Sequence, residues 1–398
     1  MQLLTINSDI YNTIVIVTKY VAFFLATYYT LKHTILRYNL KIKLPPSPFL
    51  SFPVIGHLYL FKKPLHLSLA CLAAQYGPIL YLKFGTRRVV LVSSPSIVEE
   101  CLVRNDVFVN RPKLLSGKYN GNNFTTIAWA PYGAHWKNLR RIAAVEILSP
   151  KRLQILSGIR ANVARSFIRR VMKLQSSSVD DVVEMKSALF GLTLDNMMKL
   201  VIGKSNFEEG DDEGIGCFRR FEELVKQSFN RSGVSNLEDF LPILKLFKLF
   251  YWSNENILKT IKEECNEIMK VMLKEHKNME EEGRLIEDRK RSMLHVLLSL
   301  QKKDPPYYTD ELIRYFILGL FQAGTDTSAA TLVWALSLLL NNPETLKKAQ
   351  SEIDSKVGHK RLVEEYDKSN LPYIQCIVNE TLRMYPAQTF RVTSRIYK

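Results

Sequence analysis

The sequence predicts a mainly α-helical protein with a small β portion near its N-terminal side, placed behind a membrane anchor. Apolar residues recur at helical spacing over most of the chain after residue 95. Two short β-type runs meet at Gly85 and Thr86, and residues 10–31 are almost wholly apolar or aromatic. No linker rich in proline, glycine or serine and no repeat divides the sequence, so we expect one large domain after the anchor.

Composition narrows the classes of function. The 398 residues are 46% hydrophobic and 24% charged, which is typical of a globular protein with a large core. The net charge of +16 is dispersed among acidic runs at 208–213 and 280–282, and no nucleic-acid module accompanies it. Binding to nucleic acid is therefore not expected, and a basic face towards a membrane or an acidic partner fits better.

Cysteine and histidine spacing predicts no metal site built from protein ligands alone. The five cysteines are an odd number, widely spaced and without a CxxC pair, so a disulfide framework is not expected either. The seven histidines show no HExxH pattern.

Residues 10–31 predict a membrane-spanning helix, since a bilayer needs about 20 apolar residues. Lys19 costs such a helix about 2.5 to 3.5 kcal/mol unless it reaches the headgroups. A cleaved signal peptide is the alternative, but no basic region precedes the apolar stretch and no small-residue cleavage site follows it. The basic residues that flank the span lie after it, which predicts a cytosolic domain: Lys32, Arg37, Lys41 and Lys43.

The sequence thus divides into an anchor at 1–31, a basic and proline-rich hinge at 32–56, and a domain at 57–398. The hinge contains the "LPPSP" run at 44–48, which stiffens the backbone because proline fixes its own φ angle.

Element by element, a helix over Leu65–Gln75 is followed by a hairpin of Ile79–Phe84 and Arg88–Val92. The remaining helical patterns cover 95–104, 134–147, 151–173, 183–202, 215–229, 255–282, 291–301, 309–341, 343–355 and 371–384.

Residues 240–252, "FLPILKLFKLFYW", have two interpretations. They form either a core helix or a surface that enters the membrane, with Lys245 and Lys248 reaching the headgroups.

The run from Tyr315 to Leu340 is apolar except for "AGTDTS" at 323–328, and Asp326 is its single formal charge. By hydropathy it could be a second membrane span or a helix buried inside the protein. Unsatisfied polar groups are costly in lipid, so the polar cluster favours the buried helix.

In a buried helix, this cluster has a chemical logic. Gly324 has no side chain, so that a flat ligand can approach the backbone, and Ala323 and Thr327 share one concave face. Thr327 can either bond back to the carbonyl of residue 323 or offer its hydroxyl to a ligand or water. Asp326 supplies an acid that can relay protons.

With these residues in view, the sequence resembles the cytochrome P450 family of haem-thiolate monooxygenases, in its membrane-anchored plant form. Ala323 to Ser328 fits the family pattern [AG]Gx[DE]T[TS] at every position. Trp136 and Arg140 match its WxxxR pair, and Glu380 and Arg383 match its ExxR pair. The run "WAPYGAHWKNLRR" and the hinge are most similar to plant enzymes of the isoflavone 2′-hydroxylase type.

The resemblance implies the following roles. Haem b would bind beside Ala323 and Gly324, Arg140 with Trp136 would hold a haem propionate, and Glu380 with Arg383 would be structural. Asp326 and Thr327 would deliver protons to oxygen, with two electrons supplied by an NADPH-dependent diflavin reductase. The substrate would be a hydrophobic small molecule such as a flavonoid, and the location the endoplasmic reticulum membrane.

One family element is missing from these 398 residues. The haem-ligand loop, FxxGxRxCxG, does not occur, and none of the five cysteines has its context. The fold is therefore expected to be incomplete at its C-terminal side, and haem binding with a thiolate signature is not expected. The alternatives are a non-catalytic, membrane-anchored interaction partner and a protein with two membrane spans.

Overall fold

The computed structural model describes residues 15–24, 26–28, 44–48, 51–60, 62, 64–104, 108–177, 183–204, 212–232, 236–247, 254–287 and 292–388. The chain divides into two compact units. The smaller unit comprises residues 1–104 with 240–246, and the larger comprises 105–239 with 247–398. The sequence-based boundaries at 31 and 56 remain predictions.

The smaller unit is built around a two-stranded antiparallel sheet. Its elements are helix α1 (Leu65–Tyr76), strands β1 (Ile79–Phe84) and β2 (Arg87–Val92), and helix α2 (Pro95–Glu99), which continues as a π-helical turn over Glu100–Arg104. The predicted hairpin is confirmed, with Ile79 opposite Val92 and Phe84 opposite Arg87. Alternation along β1 buries Leu80 and Leu82 against α1, as expected for a sheet with one solvated face.

The turn between the strands requires a glycine at its first position. Gly85 has a φ of +57°, which side chains rarely tolerate, and a Cβ there would collide with the carbonyl oxygen of Phe240. The same oxygen accepts a hydrogen bond from the Thr86 amide at 2.9 Å. The hairpin tip therefore holds the segment 240–246 by its backbone.

Residues within the predicted anchor form a helix, Val15–Tyr28. Its apolar side chains are exposed in the structure: Ile16, Val17, Tyr20, Val21, Phe23, Phe24 and Tyr28. Residues 10–14 and 29–31 lie outside the described part of the chain, so the length of the span stays a prediction.

The larger unit is built from helices joined by loops and turns, as far as its residues are described. Its helices are α3 (Leu115–Tyr119), α4 (Ala134–Arg141), α5 (Pro150–Ile155), α6 (Ser157–Ser177), α7 (Met185–Val201), α8 (Asp212–Ser232), α9 (Asn254–Glu281), α10 (Met293–Lys303), α11 (Asp310–Asn341), α12 (Pro343–Lys356) and α13 (Pro372–Met384). Helix α11 packs against α7 to α10 and against α12 and α13, so it is the centre of the unit.

Local chemistry explains why α11 begins and ends where it does. The Thr309 side chain caps the first turn by accepting a hydrogen bond from the Leu312 amide at 3.2 Å, and Asp310 and Glu311 complement the helix dipole. Pro343 stands at the first position of α12, where its missing N–H costs nothing. The two helices are thus separated where the sequence predicts.

Helix α11 is also the helix of the described residues that is long and apolar enough to cross a membrane. Its packing is that of a core helix over the first two thirds of its length. The buried residues are Ile313, Tyr315, Phe316, Ile317, Leu318, Phe321, Thr325 and Ala329. Beyond them, Leu332, Trp334 and Leu340 are exposed.

The observed elements differ from the predicted ones in four places. Helix α3 is not predicted, because five residues are too few for a recognisable period. The pattern 134–147 is α4 followed by a π-helix over Ile142–Ile147, and the pattern 151–173 is broken at Leu156 between α5 and α6. Within 240–252, the described part contains a 3-10 helix over Pro242–Phe247 that exposes Ile243. Residues 248–252 lie outside the described part of the chain.

Phe321→Ala should lower the free energy of unfolding by about 3 to 5 kcal/mol. Phe321 is fully buried, and its ring meets that of Phe221 edge to face with centroids 5.2 Å apart. Chemical denaturation followed by circular dichroism measures the change. Leu340→Ala, at a side chain 66% exposed, is the control and should change stability by less than about 0.5 kcal/mol. Equal effects of the two substitutions would contradict the assignment of α11 to the core.

Candidate active site

The polar interruption lies in the middle of α11, and its residues point in different directions. Ala323 is exposed and Thr327, one turn later, is half-buried on the same side. The Thr327 hydroxyl donates to the Ala323 carbonyl at 2.6 Å. Of the two roles that the sequence leaves open for this hydroxyl, the structure shows the bond to the helix backbone.

Gly324 faces a neighbouring helix. A Cβ at this position would lie 2.6 Å from the sulfur of Met197 on α7, so the flexible end of that side chain would have to shift. The glycine therefore leaves room for the Met197 thioether beside the backbone of α11. The binding of a flat ligand beside Gly324 remains a prediction.

Asp326 is half-buried beside Thr327. Loss of hydration raises the pKa of the Asp326 carboxyl, and the positive charge of Lys186 at the start of α7 opposes that shift only partly. A carboxyl whose pKa is raised exchanges its proton closer to neutral pH than an exposed aspartate does. This is the property that a proton relay requires.

Thr325 is a site residue that the sequence analysis missed. It is fully buried, and its hydroxyl has no hydrogen-bond partner among the described residues. An unsatisfied buried hydroxyl lowers the free energy of unfolding by about 1 to 3 kcal/mol, so the packing around Thr325 keeps it buried in spite of this cost. The polar run in the sequence marks the residue, but periodicity does not show that its side chain faces the core.

Gln322 is a second missed residue. Its amide donates to the Ser228 hydroxyl on α8 at 2.7 Å, and the Asn120 amide donates to the Ser228 carbonyl at 3.3 Å. Ser228 is 1% exposed and Asn120 is 8% exposed. A buried polar contact thus joins three segments directly beside Ala323, and only the fold brings these residues together.

The predicted WxxxR pair lies on α4, one turn apart. The Trp136 indole N–H donates to the Ile127 carbonyl at 3.1 Å, so it is already engaged. Arg140 is exposed and lies over the Trp136 ring, with its guanidinium carbon 5.7 Å from the ring centroid. In the described part of the chain, no carboxylate lies within ion-pair distance of Arg140. An exposed guanidinium of this kind is free to bind an anionic group of a ligand.

The predicted ExxR pair forms a closed ion pair on α13. Arg383 donates to both carboxylate oxygens of Glu380, at 2.6 and 2.7 Å. These bonds lower the pKa of Glu380 and raise that of Arg383. Both side chains are more than half exposed. The spacing therefore places them on one face, as predicted, but this surface pair contributes little to stability by itself.

The structure brings some of these residues close together and leaves others apart. Helix α13 packs on α11, and the Tyr385 ring stacks on Trp334 with centroids 3.8 Å apart and planes 7° from parallel. Across the described residues, no hydrogen bond or ion pair joins Trp136 or Arg140 to α11 or α13. The neighbour of Trp136, His135, does contact Tyr307 just before α11, at 2.9 Å.

Comparison with known proteins decides the family. A family model described as "Cytochrome P450" matches residues 45–397. The chain belongs to the cytochrome P450 family. It is 43% identical to cytochrome P450 81Q32 of Catharanthus roseus over 86% of this chain and 66% of that protein. It is 38% identical to an isoflavone 2′-hydroxylase of Glycyrrhiza echinata over 92% of this chain and 72% of that protein.

An isoflavone 3′-hydroxylase of Medicago truncatula is 39% identical, over 86% of this chain and 68% of that protein. The chain thus spans about two thirds of the length of these curated relatives. The resemblance to plant cytochromes P450 is confirmed, and so is the mainly helical fold with a small β portion. Members of this P450 family are monooxygenases that bind haem b.

Some of the described residues suit a bound haem, but none of the described cysteines suits its thiolate ligand. Exposed Ala323 and exposed Arg140 suit a haem face and a propionate. Of the cysteines whose side chains are described, none suits the thiolate. Burial raises the pKa of the Cys265 thiol to about 12, Cys376 is exposed on the ExxR helix, and Cys71 and Cys101 belong to the smaller unit. Among the described residues, no group of three or more side chains could hold a metal ion.

Asp326→Asn should stabilise the protein at neutral pH. The pKa of Asp326 is raised in the folded state, so ionising this carboxyl lowers the free energy of unfolding. This loss of stability is complete at a pH above the raised pKa. It disappears as the pH falls below 3.8, the ordinary pKa of an aspartate. Melting temperatures of both proteins measured from pH 3 to pH 8 should diverge as the pH rises. Glu281→Gln, at the exposed end of α9, is the control and should show no such gain. A less stable Asn variant at neutral pH would refute the burial argument.

Proposed function

We propose that these residues form the oxygen-facing half of a plant monooxygenase site that hydroxylates a hydrophobic small molecule, of the flavonoid class, with O₂. The observation that carries the proposal is the pair at the centre of α11. There, burial raises the pKa of the Asp326 carboxyl, and the adjoining Thr327 hydroxyl donates its hydrogen bond to the backbone of its own helix. Two relatives named as isoflavone hydroxylases support the substrate class.

Each residue of this half has a role that its surroundings permit. Asp326 accepts and releases a proton at a higher pH than an exposed aspartate does, because partial burial favours its neutral form. The Thr327 hydroxyl passes a proton on when it leaves the Ala323 carbonyl, a short movement within one helical turn. Arg140 would hold a haem propionate by a charge-assisted hydrogen bond.

The cofactor and the partners complete the proposal. Haem b, when bound, supplies the activation of oxygen. Its electrons come from an NADPH-dependent diflavin reductase. The protein is held at the endoplasmic reticulum membrane by residues 10–31 with its folded part in the cytosol, as the basic residues after that span favour. Ala323 leaves the substrate room on the exposed side of α11.

The 398 residues should not form a thiolate-ligated haem by themselves, because no cysteine in them stands in the family's loop context. A chimera in which the residues after Pro386 are replaced by the corresponding segment of the Glycyrrhiza echinata isoflavone 2′-hydroxylase should do so. The carbon monoxide difference spectrum of each reduced protein measures this. A thiolate-type band from the 398-residue chain would refute the first expectation.

The same chimera tests the reaction. With a diflavin reductase, NADPH and an isoflavone, it should yield a hydroxylated product, detected by mass spectrometry. A chimera that shows the thiolate-type band and leaves the isoflavone unchanged would reject the substrate class. A chimera without the band would show that this half does not hold haem.

Thr327→Ala in the chimera should leave haem content unchanged and divert NADPH to hydrogen peroxide, by about tenfold or more relative to product. The ratio of peroxide formed to NADPH consumed is the measurement. Thr331→Ala is a matched control, since the Thr331 hydroxyl donates to the Thr327 carbonyl at 3.0 Å one turn further along α11. It should leave coupling unchanged. Unchanged coupling in Thr327→Ala would remove that hydroxyl from the proton relay.

A further inference from the structure

A buried histidine lies between the proline-rich hinge and the β1–β2 hairpin of the smaller unit. His57 is 1% exposed, and its ring contacts strand β1 through one nitrogen and the hinge through the other. The Lys83 amide donates to Nδ1 of His57 at 2.9 Å, and Nε2 lies 3.3 Å from the Pro48 carbonyl oxygen. No step of the proposed reaction uses this side chain.

These two contacts fix the protonation state of the ring. A backbone N–H can only donate a hydrogen bond, so Nδ1 of His57 accepts from Lys83 and carries no proton. A carbonyl oxygen can only accept, so Nε2 carries the hydrogen and donates it to Pro48. His57 is therefore neutral in this arrangement, as the Nε2–H tautomer.

The hinge needs a donor of this kind because its prolines have none. Proline lacks a backbone N–H, so the "LPPSP" run at 44–48 meets the sheet through its carbonyl oxygens. The Tyr81 amide donates to the Pro46 carbonyl at 2.7 Å, and His57 supplies the second donor, to Pro48. Two carbonyls of the hinge are thus bound along the edge of β1 that faces away from β2.

Backbone contacts place the histidine against β1. The His57 amide donates to the Lys83 carbonyl at 2.6 Å, so Lys83 is bonded to His57 through both its N–H and its C=O. Gly56, directly before it, has a φ of +63°, and a Cβ there would collide with the Lys83 carbonyl oxygen. The strand therefore sets the position of the ring, and the ring sets the position of the hinge.

Burial and charge both disfavour a proton on this ring. Loss of hydration lowers the pKa of His57 and the positive charge of Lys83 lowers it further, while the bond to Pro48 opposes the shift. Among the described residues, Lys83 is the charged group that acts on the ring, and the Ser47 hydroxyl lies 3.5 Å from Nε2. Because the pKa is lowered in the folded state, the arrangement loses stability as the pH falls below 6.5, the ordinary pKa of a histidine.

We propose that His57 is a proton-sensitive latch that fastens the proline-rich hinge to strand β1. The neutral ring closes the latch. A proton on Nδ1 opens it, because the Lys83 amide and Nδ1 would then both be donors. Opening frees residues 44–48 from the edge of β1 and leaves the pairing of β1 with β2 intact. The latch is closed at the neutral pH of the proposed cytosolic location, and it is independent of the monooxygenase reaction.

Site-resolved hydrogen–deuterium exchange of the full chain in detergent micelles tests the latch, with rates corrected for intrinsic exchange at pH 7.5 and pH 5. The Tyr81 and Lys83 amides should exchange about fivefold or more faster at pH 5, because each loses its acceptor. The Leu82 amide, which alternates to the β2 side, is the internal control and should keep its protection.

Two outcomes of this measurement would overturn the proposal. Equal protection of Tyr81 and Lys83 at both pH values would show that the ring does not respond to acid. Loss of protection at Leu82 together with the other two amides would show that the whole hairpin opens, rather than the hinge alone.

His57→Asn is the matched variant. The asparagine oxygen can accept from the Lys83 amide as Nδ1 does, but the side chain is too short to reach Pro48 and cannot take up a proton. Protection of the Lys83 amide should therefore persist at pH 5, whereas the Tyr81 amide should exchange fast at both pH values. Protection of Tyr81 that the substitution leaves unchanged would refute the role of His57 in holding the hinge.

Nitrogen-15 NMR of the histidine-labelled protein reports the ring directly, whatever the variant does to the fold. The His57 signal, identified by its loss in His57→Asn, should be that of the Nε2–H tautomer at pH 7.5. It should remain mostly that of the neutral ring at pH 6.5, because the pKa is lowered. An Nδ1–H tautomer, or a ring half protonated at pH 6.5, would contradict the latch.

Discussion

The close approach of α7 to α11 is the contact on which the rest of the larger unit depends. Gly324 contributes to it, because a side chain there would displace the Met197 thioether from the backbone of α11. On the adjacent side, the Phe321 and Phe221 rings fix α8 against the same helix. The central helix is therefore held from two directions within one turn, and the polar residues that follow are positioned by packing rather than by their own hydrogen bonds.

That packing gives three neighbouring polar side chains three different environments. Thr325 is fully buried with an unsatisfied hydroxyl, Asp326 is half-buried with a raised pKa, and Thr327 bonds to its own helix. Because successive helical residues differ in direction by about 100°, a four-residue polar run spreads over most of the helix circumference. The stability that the core provides offsets the cost of these groups, which is typical of functional sites.

Much of this could be predicted from sequence, for identifiable reasons. Helix α11 is found within one residue of its predicted bounds because Thr309 and Pro343 mark its ends chemically. The hairpin follows from Gly85, and the ExxR pair from its spacing. The family motifs located Asp326 and Thr327, whose roles stay proposals. Helix α3 was not predictable, because five residues are too few for a recognisable period. The Ser228 contact to Gln322 and the burial of Thr325 were not predictable either, since both depend on residues far apart in sequence.

The stack of Tyr385 on Trp334 has a geometric consequence for the chain beyond it. Tyr385 directly follows the last residue of α13, and Trp334 lies on α11 two turns after Asp326. The contact between the two rings adds to the packing of α13 on α11 at the point where the chain leaves α13. The chain after Tyr385 therefore starts at a fixed position relative to α11, the helix that carries Asp326 and Thr327.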